Sequence, residues 1–370
     1  MTSMNIQRDV VLLPLQAVSG VVERRHTLPI LSNVLLELKD GRLSLTATDL
    51  EIQVVSTTVA DGETTEEATT VSARKLQDIL RALPEGASMQ LNIQDKRIQL
   101  KAGRSKFSLQ TMPAADFPKI AAGSAVAVQF DVAQRDLKRL LGHVHYSMAQ
   151  QDIRYYLNGL LLAVESNVLT VVATDGHRLA LARAAFEQHV SSSKTEVILP
   201  RKAVLELFKL LADSDAKAAV TIRDNQVSFK LDGAELTSKV VDGKFPDYQK
   251  VIPTGYTKHF VLDRVALQGA LQRAAILSNE KFRGVRWFIS ENGLRIVSSN
   301  TEQEEAEEEL EIEYNGEPLD IGFNVSYLLD VLGNFDSKNV ECWVGDANSS
   351  MLLTMPEEPD FKYVVMPMRI

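Results

Sequence analysis

The chain repeats itself at a long period, and this limits its fold more than any single motif does. SLTATDLEIQ at 44–53 returns as TVVATDGHRLA at 170–180 and, more weakly, as RIVSSNTEQEEA at 295–306. About fifteen residues before each stands an apolar, strand-like segment: ILSNVLLEL (30–38), YLNGLLLAV (156–164) and FRGVRWFIS (282–290). About twenty-five residues after each stands a helix-like one: ARKLQDILRAL (73–83), PRKAVLELFKLL (200–211) and NVSYLLDVLGNF (324–335). Each copy closes on an extended Pro-containing stretch: ADFPKI (115–120), KFPDYQKVIP (244–253) and YVVMPMRI (363–370). A period of roughly 120–128 residues is too long for a solenoid repeat and suits a whole domain. Three domains are expected, at 1–122, 123–253 and 254–370.

Within a copy the apolar pattern alternates between helix and strand periods. Val11, Leu15, Val18 and Val22 mark a first helix, which Pro14 is expected to kink or delay. Leu137, Leu140, Leu141 and Val144 mark the opening helix of copy two, and Leu267, Ala270, Leu271 and Ala274 that of copy three. Turn pairs follow at Asp40-Gly41, Asp61-Gly62, Asp232-Gly233 and Asn292-Gly293. Two helices and several strands per copy predict an α+β domain, with helices laid on one face of antiparallel sheet.

Within the second copy, Asp175-Gly176-His177-Arg178 looks like a small active site. A hydrolase could use Asp175 and His177, with Arg178 as an anion clamp. The aligned positions of copy one hold Asp49, Glu51 and Ile52, so the Asp belongs to a shared turn. No nucleophile-elbow, P-loop or His-Glu-x2-His motif is present. His143 and His145 are two apart, point away from each other on a helix, and read as structural. The one cysteine, Cys342, excludes an internal disulfide and a cysteine-based metal site. No catalytic residue, cofactor or metal is expected. The N-terminal sequence has neither the basic start nor the cleavage site of an export signal, and no apolar run approaches the ~20 residues of a membrane span. A cytoplasmic protein is expected.

The net charge of −9 argues against a polyanion partner until it is located. Residues 1–120 carry 14 basic and 14 acidic side chains, 121–247 carry 15 and 15, and 248–370 carry 11 and 20. The excess is local, with nine glutamates inside 302–317. Elsewhere basic residues recur on outer helix faces: Arg74 with Arg81, Lys202 with Lys209, and Arg135 with Lys138 and Arg139. Such faces are either simply solvated or track phosphates without reading bases. EEELEIEY at 307–314 alternates, Glu307, Glu309, Glu311 and Glu313 against Leu310, Ile312 and Tyr314. GRSKFSLQT at 103–111 alternates in the complementary sense, Arg104 and Lys106 against Phe107 and Leu109. An acidic strand in copy three and a basic one in copy one fit head-to-tail contact between chains, or a solubilising strand with no partner.

TLPILSN, ATDLE, QDIRYYLNG, ATDGHRLA, SNEKFRGVR, QEEAEE, GFNVSY and YVVMPMRI together resemble the bacterial sliding-clamp family, the beta subunit of DNA polymerase III, from about residue 10 to 370. The resemblance implies three tandem two-helix, antiparallel-sheet clamp domains and a head-to-tail homodimer. The dimer would be a six-domain ring with helices lining the hole. It implies double-stranded DNA threaded through the ring, and as partners the replicative DNA polymerase, an ATP-driven clamp loader and other proteins bearing a clamp-binding motif. DNA-facing residues would be Arg25, Arg74, Arg81, Gln151, Tyr155, Tyr156, Arg201 and Lys202. The dimer interface would join Lys75, Arg104, Lys106, Phe107 and Leu109 to the partner's copies of Ile276, Leu277, Glu302, Glu304, Glu305 and Glu308. A pocket for a Gln- and Leu-bearing peptide would use Leu157, Thr174, Gly176, His177, Arg178 and Leu179 of copy two, with Pro246 and Val251. Copy three would add Asn324, Tyr327, Ser350, Val364, Met366, Pro367, Met368 and Arg369. Gln150, Lys250 and Asn348 depart from the family pattern. A repeat scaffold that never encircles DNA is the competing reading.

Overall fold

The computed structural model describes residues 2–23, 28–60, 66–94, 96–121, 123 and 125–369. One element order occurs three times: strand, helix, four strands, helix, three strands. Copy one comprises β1 (Thr2–Gln7), α1 (Arg8–Ser19), β2 (Asn33–Lys39), β3 (Arg42–Thr48), β4 (Ile52–Val59), β5 (Glu67–Ser72), α2 (Ala73–Ala82), β6 (Ser88–Gln94), β7 (Arg97–Ala102) and β8 (Ser105–Pro113). Copy two comprises β9 (Val126–Ala133), α3 (Gln134–Val144), β10 (Gly159–Ser166), β11 (Val168–Thr174), β12 (Arg178–Ala185), β13 (Ser191–Pro200), α4 (Arg201–Leu210), β14 (Lys217–Arg223), β15 (Gln226–Leu231) and β16 (Ala234–Lys239). Copy three comprises β17 (Lys258–Asp263), α5 (Arg264–Ile276), β18 (Gly284–Ser290), β19 (Gly293–Ser299), β20 (Glu305–Glu311), β21 (Leu319–Asn324), α6 (Val325–Gly333), β22 (Asn339–Val344), β23 (Met351–Met355) and β24 (Glu358–Val365).

Helices α5 and α6 start where an apolar stripe meets a side-chain cap. Asp263 accepts from the Ala266 amide at 2.8 Å to start α5, and Asn324 accepts from Ser326 at 2.9 Å to start α6. Leu137, Leu140, Leu141 and Val144 of α3, and Leu267, Ala270, Leu271 and Ala274 of α5, are buried as their spacing predicts. The first helix departs from expectation. It starts at Arg8, runs through Pro14 and buries the proline ring beside Val11 and Leu15. Pro14 thus does not delay the start. Helix α1 stops before Gly20, the phase of the stripe is lost there, and the following buried residue is Val21 rather than Val22. Between β2 and β3, Asp40 and Gly41 both adopt positive φ (49° and 68°), as a two-residue type I′ hairpin requires. Asp61-Gly62 lies outside the described residues.

The chain packs as two compact units, Met1–Leu137 with Lys202–Val240, and Lys138–Arg201 with Val241–Ile370. The first holds a twelve-stranded sheet in the order β1-β6-β7-β8-β5-β2-β3-β4-β16-β15-β14-β9. Copies one and two join in it where β4 pairs antiparallel with β16, from Ile52 opposite Ser238 to Ser56 opposite Ala234. The second unit holds an eight-stranded sheet, β13-β10-β11-β12-β24-β23-β22-β17, and a four-stranded one, β20-β19-β18-β21. Copies two and three join where β12 pairs with β24, Arg178 opposite Val365 to Leu181 opposite Lys362.

Candidate functional site

The repeated Ala-Thr-Asp motif builds one hydrogen-bonded turn twice. In copy one the Thr48 hydroxyl donates to the Ile52 carbonyl (2.8 Å) and accepts from the Leu50 amide (3.1 Å). Asp49 Oδ1 accepts from the amides of Glu51 (3.0 Å) and Ile52 (2.8 Å). In copy two Thr174 bonds Arg178 and Gly176 in the same way (2.6 and 3.0 Å), and Asp175 Oδ1 accepts from His177 (2.9 Å) and Arg178 (3.0 Å). The third residue of each turn has positive φ, Leu50 at 78° and Gly176 at 90°. In copy three Asn300 Oδ1 accepts from the Glu302 and Glu304 amides at 2.9 and 3.0 Å. Asp175 is therefore a turn cap, with one oxygen already committed to two amides.

The second Asp175 oxygen anchors a buried arginine. Arg178 Nε donates to it at 3.1 Å, Nη1 to Asp330 of α6 at 2.6 Å and Nη2 to the Tyr146 carbonyl at 2.7 Å. The Tyr327 ring lies 4.4 Å from the guanidinium. Burial alone would depress the Arg178 pKa, but Tyr363 and the Asp330 and Asp175 carboxylates outweigh it and raise it. Burial pushes the Tyr146 and Tyr363 hydroxyls up. With its donors turned inward, Arg178 serves as a fixed wall.

That wall borders a cavity of about 190 Å³, lined also by Arg154, Tyr156, Leu157, Thr174, Gly176, Leu179, Pro246, Val251, Val364 and Met366. Its floor belongs to an apolar cluster with Leu161, Val172, Leu181, Phe245 and Leu352. His177 stands exposed beside it, and its carbonyl accepts from the Met366 amide at 2.9 Å. The other residues expected in the pocket lie outside these walls. Asn324 caps α6, the Ser350 carbonyl accepts from Tyr256, and the Met368 amide donates to Gly322. Pro367 is half-buried and Arg369 exposed. Arg154 was not foreseen. It holds Asp152 by two side-chain bonds, at 3.0 and 2.8 Å, and reaches the Asp175 carbonyl at 3.1 Å. Those bonds hold the Asp152 carboxyl at about 2, below the usual carboxylate range. The sequence cue was the short spacing of Asp152 and Arg154. Tyr156, expected to face DNA, also lines the cavity.

Three family models cover the chain: the N-terminal, central and C-terminal domains of the DNA polymerase III beta subunit match residues 2–121, 131–247 and 249–369. The chain belongs to the DNA polymerase III beta subunit family. It is 48% identical over 365 residues to the beta sliding clamp of Pseudomonas aeruginosa and 47% identical to that of Escherichia coli K12, each covering 99% of both chains. A crystal structure of the DNA polymerase sliding clamp from Pseudomonas aeruginosa superposes with a TM-score of 0.95 at 47% identity, covering 100% of both chains. The beta sliding clamp of Caulobacter crescentus superposes at 0.93 and 37% identity, covering 100% of this chain and 99% of that one.

In this beta-subunit family member the remaining expected residues fall as follows. Arg25 lies outside the described residues. Arg74 and Arg81 are exposed on α2, with Asp78 3.8 Å from Arg74. Gln151, at φ 55°, and Tyr155 are exposed in the loop before β10. Arg201 is half-buried and donates to the Met148 carbonyl at 3.1 Å. The Lys202 ammonium is engaged by Asp49 (2.5 Å), Glu23 (3.2 Å) and the Val21 carbonyl (2.9 Å). Other expected basic faces are also partly neutralised, Arg135 by Asp215, Arg139 by Glu358 and Lys209 by Glu206. Arg104 and Lys106 are exposed, while Phe107 and Leu109 on the other face of β8 are half-buried. Lys75 and Ile276 are exposed and Leu277 is half-buried. Glu302, Glu304 and Glu305 are exposed, whereas Glu308 is held by Arg273 at 2.6 Å. The acidic strand β20 alternates as expected and ends at Glu311. His143 stacks on Phe335 at 4.3 Å, and His145 Nδ1 contacts the Leu141 carbonyl at 3.0 Å, both as packing groups.

Proposed function

We propose that the chain is a DNA sliding clamp. Two copies close head to tail into a six-domain ring, helices inside, around duplex DNA. The ring tethers the replicative polymerase, and other replication and repair proteins, by topology and without catalysis. The seam pattern carries this reading. The last strand of copy two (β16) pairs with β4 of copy one, and the last strand of copy three (β24) pairs with β12 of copy two. The equivalent strands left over are β8 and β20. Residues 105–110 of β8 pair only with β7 in the described residues, and β20 is a sheet edge. A contact between unlike strands of two chains is heterologous and closes as a ring when the rotation permits. In an antiparallel pairing like those two, the exposed Arg104 and Lys106 at the start of β8 lie toward the Glu308 part of β20, and Leu109 toward its Glu305 end. The sequence-marked residues keep their proposed roles, with Asn324, Ser350, Pro367, Met368 and Arg369 around the cavity instead of in its walls, Tyr156 shared between cavity and DNA, and Lys202 contributing less to DNA because two carboxylates share its charge.

The relatives named as beta sliding clamps support the same reading. The domains are taken as 1–122, 123–253 and 254–370. No helix among the described residues is long and apolar enough to cross a membrane; with DNA as the proposed partner, we read the protein as cytoplasmic. The cavity beside Arg178 receives the anchors of partner peptides. Asp175 is consumed by its turn, which weighs against the hydrolase reading. Loading the protein onto a nicked circular plasmid with a clamp loader and ATP, then gel filtration, tests the proposal. Protein should co-elute with the circle and be lost on linearisation. Equal retention on circular and linear DNA would leave a scaffold or an ordinary DNA binder.

A further inference from the structure

We propose that Met366 is an oxidation site whose sulfoxide closes the pocket to partner peptides; this rests on reading the cavity as the partner pocket. Met4, Met89, Met148, Met351 and Met355 are each no more than 5% exposed, and Met112 and Met368 are half-buried. Met366 is 43% exposed, the most open thioether among the described residues, and it lines the cavity. Its backbone N–H donates a hydrogen bond to the His177 carbonyl, which fixes the backbone beside the rim.

Hydrogen peroxide supplies the chemistry. The sulfur lone pair attacks one peroxide oxygen, an S–O bond forms, the O–O bond breaks and water leaves. The thioether loses two electrons and the peroxide gains them. The product replaces a soft apolar group by a strong acceptor. Of the walls, Leu157, Leu179, Pro246, Val251 and Val364 offer no side-chain donor, the Thr174 hydroxyl donates to the Arg178 carbonyl, and Arg154 donates to Asp152 and the Asp175 carbonyl; Tyr156 carries the remaining hydroxyl. The Arg178 donors are committed to Asp175, Asp330 and Tyr146. A peptide seated on the sulfoxide strips water from a strong acceptor against a mostly apolar wall, which is penalised. A sulfoxide reductase reverses the change.

The test treats the full-length protein with dilute hydrogen peroxide and maps sulfoxides by peptide mass spectrometry. Affinity for a fluorescein-labelled decapeptide with Gln and Leu anchors is read by anisotropy before oxidation, after it, and after sulfoxide reductase. Met366 should oxidise ahead of the five buried methionines. Affinity should fall about tenfold or more and return on reduction. Met366→Leu, compared with itself before and after peroxide, should lose no affinity to the treatment. The proposal is overturned if Met366 oxidises no faster than the buried methionines. It is also overturned if its full oxidation leaves affinity unchanged, or if Met366→Leu is equally sensitive. If the untreated protein fails to bind the peptide, the pocket reading fails and the affinity claim with it, while the mapping still decides whether Met366 is the oxidation site.

Discussion

Replacing Asp175 by Ala removes an acceptor from two backbone amides and from Arg178 at once. Capping bonds of this kind contribute ~1 kcal/mol each, so Asp175→Ala should lower the unfolding free energy by about 1–2 kcal/mol in urea titrations. Asp175→Asn keeps one acceptor oxygen and should lose less. Equal losses would mean that the turn does not depend on that oxygen. His143 makes a separate prediction. Burial first, then the nearby Arg139 charge, depresses its pKa from 6.5 to about 4. The unfolded chain therefore takes up the proton first as pH falls. Stability is unaffected above pH 6.5 and declines toward pH 4, by up to ~1.4 kcal/mol per unit from this group. The slope of stability against pH between 6.5 and 4.5 should be shallower in His143→Gln. Identical slopes would remove His143 as the cause.

At the scale of elements, Gly159 shows how tightly the strands of copy two sit. A Cβ there would lie 2.3 Å from the Leu199 carbonyl oxygen of the neighbouring β13, and a backbone atom in a paired strand yields little. Gly159→Ala should destabilise by about 1–3 kcal/mol, the range for overpacking, while an exposed strand position such as Gln129→Ala should change little. Comparable losses at both positions would contradict the close approach. These elements were largely legible in the sequence, because a period of 3.6 or 2 marks which residues a sheet or helix buries, and three copies repeat the signal. Pro14 misled, since the ring is accommodated on the buried side of α1. The cavity was legible only in part. Leu179 and Val364 belong to repeated strands and Leu157 to the short turn before β10, but the bonds of Arg154 to Asp152 and of Arg178 to Asp330 link residues of the second and third copies that the repeat does not mark. No periodicity reveals a contact between residues 152 positions apart. The basic helix faces were legible as charge; the carboxylates that neutralise them come from elsewhere in the chain.

For the whole molecule, the proposed β8–β20 joint makes association sensitive to charge. Lys106→Glu should raise the dimer dissociation constant by about tenfold or more at low salt, since it sets like charges together. Sedimentation over a dilution series checks this, and an unchanged constant would place the joint elsewhere. The wild-type dimer should itself loosen at ~1 M salt, where screening shortens to ~3 Å. The repeated turn bears on how such a joint comes apart. In copy one the free oxygen of Asp49 grips Lys202 of the next copy, and in copy two that of Asp175 grips Arg178, which passes the link to Asp330 of the next copy. Both carboxylates are sheltered, with 8% and 17% of their side chains exposed. In copy three the corresponding residue is Asn300, whose amide nitrogen donates to the exposed Glu304 at 2.6 Å. Two fastenings are riveted inside a polypeptide and the third is a buckle already wet on its outer side. A ring closed as proposed would part first at that buckle.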